Sequence, residues 1–401
     1  MPAAGSAEAS AALKRPLRLL GLAAFASMAA MRWCDALLPL LAREFGATTG
    51  QAAHTVAAFA LAYGLMQFVV GPLGDRRGKI RVVSLATVVC MIGALACAVA
   101  PSLAVLTLAR AATGGAAAAV VPLTFAWIGD RVPFEQRQAV LARMLGATIS
   151  GMIAGQWLAG VCADQFGWRA GFVLLALLFG AAALALRWHL ARGLPDAPAT
   201  GLLPPLQQMA AVLAMPAARW LFLMVAAEGA FAFAAMAFVP SHLQQAFGLS
   251  PSWAGGVLAV YGLGGLVYSR SAPWLLRRLG VAMMARVGTL AVSLAWLLLA
   301  ALPDWRWAPL LCGAAGLGFY MLHNSLQNLA TQVAPAARGT AVSLFACSLF
   351  IGQSAGVALA SWGVDRVNAA LPLWLAPWGL LVVGFAFAAG LKTRAPAERA
   401  A

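Results

Sequence analysis

Charge is what this sequence has least of. Only 10% of its 401 residues are Asp, Glu, Lys or Arg, against about 25% in a soluble domain. A mean hydropathy of +0.85 implies far more apolar surface than one soluble core can bury, so the expected solvent for most of the chain is lipid. Acids are scarcer than bases, 12 against 27, for a formal net charge of +15. Such basicity can signal nucleic acid, but no basic face interleaves with aromatics, so no nucleic-acid partner is expected.

Other absences narrow the chemistry. No GxxxxGK[ST] loop is present, which argues against ATP as the energy source. His54, His189, His242 and His323 are scattered and none sits in an HExxH context, nor is there a GxSxG nucleophile turn. A polytopic membrane enzyme is therefore disfavoured, and neither metal nor organic cofactor is expected. The six cysteines (Cys34, Cys90, Cys97, Cys162, Cys312 and Cys347) all fall inside apolar runs without metal-like spacing. They are expected to be packing residues rather than disulfide partners.

What is present is a series of apolar runs, each about as long as the 20 residues that span a hydrocarbon core. Turn and charge punctuation divides them into twelve: 17–42, 51–73, 82–100, 103–128, 139–162 and 170–190, then 218–240, 252–272, 282–302, 307–330, 340–363 and 372–391. The first follows Lys14, Arg15 and Arg18 and is too long for a signal-peptide core, so it is expected to be an uncleaved span. Residues 1–190 and 218–401 would form two helical bundles, joined by a polar, Pro-rich linker over 191–217. The bases settle the expected orientation. With both chain ends cytoplasmic, 21 of the 27 lie on that side, four (Arg43, Arg169, Arg306, Arg366) opposite, and two within spans. That asymmetry satisfies the positive-inside rule for a bacterial-type inner membrane.

The halves resemble each other. A shift of 202 lays FGATTGQAA on FGLSPSWAG and brings Arg76 and Gly78 onto Arg278 and Gly280. A shift of 201 brings Gly151 and Gly155 onto Gly352 and Gly356, Arg137 onto Arg338, and Asp164 onto Asp365. An even number of spans per half preserves orientation, so the expected fold is all-α with two parallel six-helix repeats.

One charged knot interrupts the apolar sequence, GPLGDRRGKIR, with Gly71, Leu73, Asp75, Arg76, Gly78 and Lys79 between the second and third runs. It resembles the loop 2–3 signature of the major facilitator superfamily. RAATGGAAAA, with Arg110 and Gly114, resembles that superfamily's fourth-span motif. GMIAGQWLAG, with Gly151, Gly155 and Gly160, resembles the fifth-span motif of its drug–proton antiporters, except that Gln156 stands where Pro is usual. The resemblance implies the twelve-span fold, transport by alternating access, and a conformational gate at the knot. The residues support a gate independently. Gly71 and Gly74 permit close helix approach and Gly78 a tight turn. Asp75 is placed to face a helix N-terminus, and Arg76, Arg77 and Lys79 to pair with Asp130 or Glu135 and hold the cytoplasmic side shut between the halves. Topology alone also calls for bases here. Gly151, Gly155 and Gly160 are read as helix-packing positions.

Ionisable residues inside spans are costly, about 2.5–3.5 kcal/mol each on insertion scales, and default to function. Arg32 and Asp35 lie one turn apart in the first run, Arg110 in the fourth, and Glu228 in the seventh with no base in its own span. These four are the expected proton-coupling set, the alternative being a self-neutralising Arg32–Asp35 pair and a static Glu228. In the tenth run His323 and Gln327 are four apart, as are Asn324 and Asn328, giving adjacent polar stripes. His323, Asn324 and Gln327, with Gln156 and Gln353, are the expected cavity wall. The expected activity is proton-driven transport of a small amphipathic organic compound, with export favoured, by a monomer whose partners are substrate, protons and lipid. The alternative is import of a small organic anion held by Arg110.

Overall fold

The structure, a computed structural model, describes residues 3–191 and 205–394. Residues 192–204 of the expected linker lie outside it, as does the side chain of Glu135. The apolar runs are helical. Helices α1 (Ala3–Arg32) and α2 (Leu38–Glu44) occupy the first run, and α3 (Thr49–Arg77) and α4 (Lys79–Ala98) the second and third. The fourth run holds α5 (Leu103–Ala117) and α6 (Val120–Arg131), followed by α7 (Phe134–Phe166) and α8 (Trp168–Ala191). A short α9 (Pro205–Ala214) precedes α10 (Pro216–Phe247), and α11 (Pro251–Ala300) carries both the eighth and ninth runs. Helices α12 (Ala308–Ala330), α13 (Arg338–Arg366) and α14 (Leu371–Arg394) complete the series. Counting α5 with α6 as one, nine helical stretches among the described residues are long and apolar enough to cross a membrane, α11 among them, and no strand occurs among the described residues.

Two breaks within runs have a local cause. Pro39 has no amide to offer the carbonyl four residues back, that of Asp35, and residues 33–37 form turns between α1 and α2. Pro122 stands in the same relation to Ala118, where α5 gives way to α6. Elsewhere the chain turns at glycine. Gly78 (φ 89°) separates α3 from α4, and Gly280 (φ 69°) kinks α11 between its two runs. Both need a backbone conformation that a Cβ disfavours, and they are the pair matched by the 202-residue shift.

Helices meet through glycines laid against backbone, and these meetings repeat. A Cβ on Gly151 or Gly155 of α7 would collide with the backbone of Phe25 or Ala29 in α1, and one on Gly352 or Gly356 of α13 with Ala226 or Ala230 in α10. All four glycine–partner pairs are related by the same 201-residue shift. Gly114 lies on the Phe59 backbone and Gly316 on that of Tyr261, related by 202. The repeat seen in the letters is therefore a repeat of helix crossings. Between the halves, α3 packs on α13 and α7 on α11.

One face carries the charged knot and is called the basic face here; the other is the far face. Hydrogen bonds between the halves occur at the far face, where Gly50 N and Thr48 Oγ1 meet Asp365, Ser252 N meets Asp164, and Gln244 Nε2 donates to Ala36 O. The last of these satisfies a carbonyl in the break between α1 and α2.

A Cβ branch at a glycine crossing should therefore be far more damaging than one at an open glycine of the same helix. Gly155→Val is expected to cost about 1–3 kcal/mol in packing strain and to lower the melting temperature in detergent. Gly146→Val, with nothing within 4 Å of its Cβ, should melt close to wild type; equal melting of the two would contradict the crossing.

Candidate functional site

Glycine crossings also aim the polar stripe of the tenth run. Gly264 and Gly316 bring α11 and α12 into backbone contact, and His323, two turns after Gly316, continues the same face of α12. His323, Asn324, Gln327 and Asn328 line a cleft of about 640 Å³ together with Tyr268 of α11, and Leu145 and Ile149 of α7 stand across from them. Three expected wall residues thus share one surface. The cleft belongs to the basic-face half of the molecule and is walled by both halves of the chain.

Behind the wall lies Glu228, fully buried on α10, with Oε2 3.1 Å from His323 Nδ1. Its Oε1 has no hydrogen-bond partner among the described residues. The imidazole is fixed by two aromatic rings, stacked on Phe319 (5.2 Å between centroids, 15° between planes) and 5.3 Å from Phe345. A histidine so placed touches the cleft with one edge and a buried carboxylate with the other. That arrangement can relay a proton between solvent in the cleft and a site lipid cannot reach.

A second charged group fills the centre of the first half. Arg32 Nη1 lies 3.6 Å from Asp35 Oδ2, an ion pair longer than a hydrogen bond, and both residues are buried. Asp35 sits in the break between α1 and α2. Arg110 Nη1 donates to Ala30 O at 2.8 Å, and its guanidinium lies 4.2 Å over the Phe59 ring. Arg110 is fully buried and does not line the cleft; its Nε and Nη2 have no hydrogen-bond partner among the described residues. The groups are linked through rings. Arg32 lies 4.6 Å over Phe233 of α10, Phe233 meets Phe319 edge-on at 5.6 Å, and Phe319 stacks on His323.

Two expected wall residues do not reach the cleft. Gln156 and Gln353 are buried at helix crossings, the first where its carbonyl faces Gly255 and the second where its amide nitrogen faces Gly229. Those contacts are made by backbone atoms, and both side chains are buried and absent from the cleft lining. Gly151, Gly155 and Gly160 occupy crossings too, Gly160 against Pro251 and Ser252 of α11.

The knot holds one of the expected pairs, Lys79 with Asp130, but does not reach across the halves. Lys79 Nζ bridges Asp75 (3.2 Å) and Asp130 (2.5 Å), so the ion cluster joins α3, α4 and α6 within the first half rather than the two halves. Asp75 pairs with Lys79 where a helix N-terminus was expected, while Arg76 is exposed and makes no ion pair among the described residues. Gly71 has open space at its Cβ position, and Gly74 is the close contact instead, against Leu123 of α6. The aromatic residues of the site, Phe233, Phe319, Phe345 and Tyr268, went unread in the sequence. In a chain that is 63% hydrophobic a ring gives no local sign of facing a cleft.

A polytopic helical protein with a polar cleft between matched halves belongs to the class of membrane transporters that bind small molecules. The family model for the Major Facilitator Superfamily matches residues 20–357, and the chain belongs to that superfamily. Relatives agree. It is 26% identical over 336 residues to the uncharacterized MFS-type transporter YceJ of Bacillus subtilis, covering 81% of this chain and 83% of that one. It is 28% identical over 394 residues to a chloramphenicol resistance protein of Streptomyces lividans, covering 96% and 98%. Among solved structures, a POT family transporter in complex with a thioalcohol-conjugated peptide superposes with a TM-score of 0.77 at 13% identity (95% of this chain, 96% of that one). The nucleoside transporter NupG gives 0.75 at 15% (94% and 99%). At such identities the structures speak to fold alone.

Arg110 is held by shape as well as charge, and a lysine cannot reproduce a planar guanidinium on a ring that also donates to a carbonyl. Arg110→Lys is expected to destabilise by about 2 kcal/mol, the scale of a lost charge-assisted hydrogen bond. The check is a lowered melting temperature in detergent, and an unchanged value would contradict the structural role.

Proposed function

We propose that the protein is a proton-coupled exporter of small, uncharged or weakly basic amphipathic compounds, working as a monomer in a bacterial inner membrane with both chain ends cytoplasmic. The observation that carries this is the buried Glu228–His323 pair set directly behind the cleft wall. A carboxyl with one oxygen bonded to a titratable ring, and that ring open to the cleft, is suited to exchange a proton when the cleft changes sides. Among the described residues that line the cleft there is one imidazole, His323, and no carboxylate, lysine or arginine; the rest are amide, hydroxyl and apolar side chains. Such a lining favours compounds that combine rings with hydrogen-bonding groups over strongly charged ones. Likeness to a chloramphenicol resistance protein along nearly the whole of both chains supports export.

In this proposal residues 1–190 and 218–401 rock against each other as two bodies, with 191–217 as their connection. The Lys79 cluster, confined to one half here, exchanges partners when the basic face closes. Arg32 and Asp35 offset each other at the centre of the first half, Arg110 rests on a carbonyl and a ring face, and Glu228 carries the transported proton. Neither an organic cofactor nor a metal is part of the cycle, and the proton gradient supplies the energy.

Proteoliposomes loaded with a pH indicator, and a compound panel headed by chloramphenicol, test this. Substrate-dependent proton flux is expected from the wild type. Glu228→Gln should abolish accumulation driven by a pH gradient while keeping gradient-independent exchange of labelled for unlabelled compound. Asp35→Asn should weaken accumulation at least tenfold less than Glu228→Gln. Gradient-driven accumulation at wild-type rate in Glu228→Gln would remove Glu228 from the coupling step.

A further inference from the structure

At the far face two aspartates that the transport site does not use make the same unusual contact. Asp365, at the end of α13, accepts from Gly50 N (2.8 Å) and from Thr48 Oγ1 (2.6 Å) at the start of α3. Asp164, at the end of α7, accepts from Ser252 N (3.0 Å) at the start of α11. Each bond joins one half of the chain to the other. The arrangement is duplicated in detail: the 201-residue shift carries Asp164 onto Asp365, and the 202-residue shift carries Thr48 onto Ser250 and Gly50 onto Ser252.

Each receiving helix already has its own cap. Thr48 Oγ1 accepts from Gln51 N (3.1 Å) and Ser250 Oγ from Trp253 N (3.5 Å). In both helices the residue three after the cap is bonded by the cap, and the residue two after it by the aspartate of the other half. The free amides of a helix N-terminus, with the positive end of its dipole, are thus shared between a local hydroxyl and a carboxylate across the seam. The backbones leave no slack beside these bonds. A Cβ on Gly50 would strike the Ser361 carbonyl and the Asp365 carboxyl, and one on Gly160 would strike Pro251 and Ser252. Neither carboxylate makes an ion pair among the described residues, so the helix ends are their bonded partners.

We propose that Asp164 and Asp365 are a two-point latch that holds the far side closed, each clamping the N-terminus of a helix in the opposite half, so that both must release before the cleft can open outward. The far face being the outer side rests on the orientation given above. The latch itself requires neither proton coupling nor any particular substrate. Two clamps on opposite sides of the pseudo-twofold axis resist opening evenly, whereas a single clamp would let the seam hinge open about the other side. Charge makes them strong for bonds at an exposed seam, yet few enough to be broken in each cycle.

Double electron–electron resonance on the full chain in lipid nanodiscs tests the latch. One spin-label pair spans the far mouth (Arg43→Cys with Gln245→Cys) and another the basic face (Arg143→Cys with Arg278→Cys), all four positions being exposed and the native cysteines buried. Asp164→Ala and Asp365→Ala are each expected to raise the population with the long far-mouth distance roughly threefold to tenfold, the scale of one net hydrogen bond at a water-accessible seam. The double variant should exceed either single. The basic-face distance should shorten in step, because the two mouths open in turn. Asp→Asn variants, which keep the shape and an acceptor oxygen, should shift the same way but less. A far-mouth distribution unchanged in the double alanine variant overturns the proposal. So does lengthening at both mouths together, the mark of loosened packing. Loss of proton-driven transport in Glu228→Gln with these distances intact would leave the latch standing, so the two proposals fail separately.

Discussion

Gly155 lies so close to the Ala29 backbone that a single methyl group would force the helices apart, and contacts of this kind hold the whole assembly. In lipid the hydrophobic effect does not drive one apolar helix onto another, since the acyl chains are as apolar as leucine. What remains is close van der Waals approach, and the closest approach is backbone on backbone through glycine. The α1–α7, α10–α13, α3–α5 and α11–α12 seams are all built this way. Smooth seams of small residues can also shift without unlocking interdigitated side chains. Where the two halves meet, α7 against α11 and α3 against α13, that property allows a rigid assembly to move in two pieces.

On this scaffold charge is expensive and is placed in few spots. Arg32, Asp35, Arg110 and Glu228 are buried, and each has an identifiable counterweight: an ion pair, a carbonyl and a ring face, or an imidazole. Asp35 sits in the break at residues 33–37, which leaves backbone groups without helical partners. Gln244 from the other half donates to one freed carbonyl, that of Ala36. The break is thereby covered by protein, the condition under which irregular backbone is tolerated at membrane depth.

Much of this was open to view in the sequence, and the division between what was and was not has a physical basis. Run length and charge sign are local properties, so the helices and the buried ionisable residues could be read directly. The repeat was visible because glycine crossings tolerate few substitutes, and Gly151, Gly155, Gly352 and Gly356 kept their spacing. Partnership was not visible. Glu228 and His323 are 95 positions apart, and nothing near either one indicates the other. Nor could the letters tell a cleft wall from a crossing. Gln156 and His323 are both polar residues in apolar runs, yet one is buried with its backbone carbonyl against Gly255 and the other lines the cleft, because helix rotation is set by neighbours. The break in the first run also went unread, although Pro39 withholds an amide from the Asp35 carbonyl.

Comparison of the halves separates what the fold demands from what the chemistry demands. The Phe59–Gly114 and Tyr261–Gly316 crossings correspond, as do the turns at Gly78 and Gly280. The charges do not. The shift that joins those crossings carries Arg110 onto Cys312 and Asp75 onto Arg277. Beside Phe59 stands a guanidinium; the matching place beside Tyr261 holds a thiol. A backbone contact at this distance has one solution, so both copies keep it. An intramembrane charge carries an insertion cost every time it appears, so duplication gives no reason to hold it twice. The first half therefore carries the paired arginines and the second the Glu228–His323 couple, with Phe233 and Phe319 packed between. The site is asymmetric because a symmetric scaffold needs its chemistry only once.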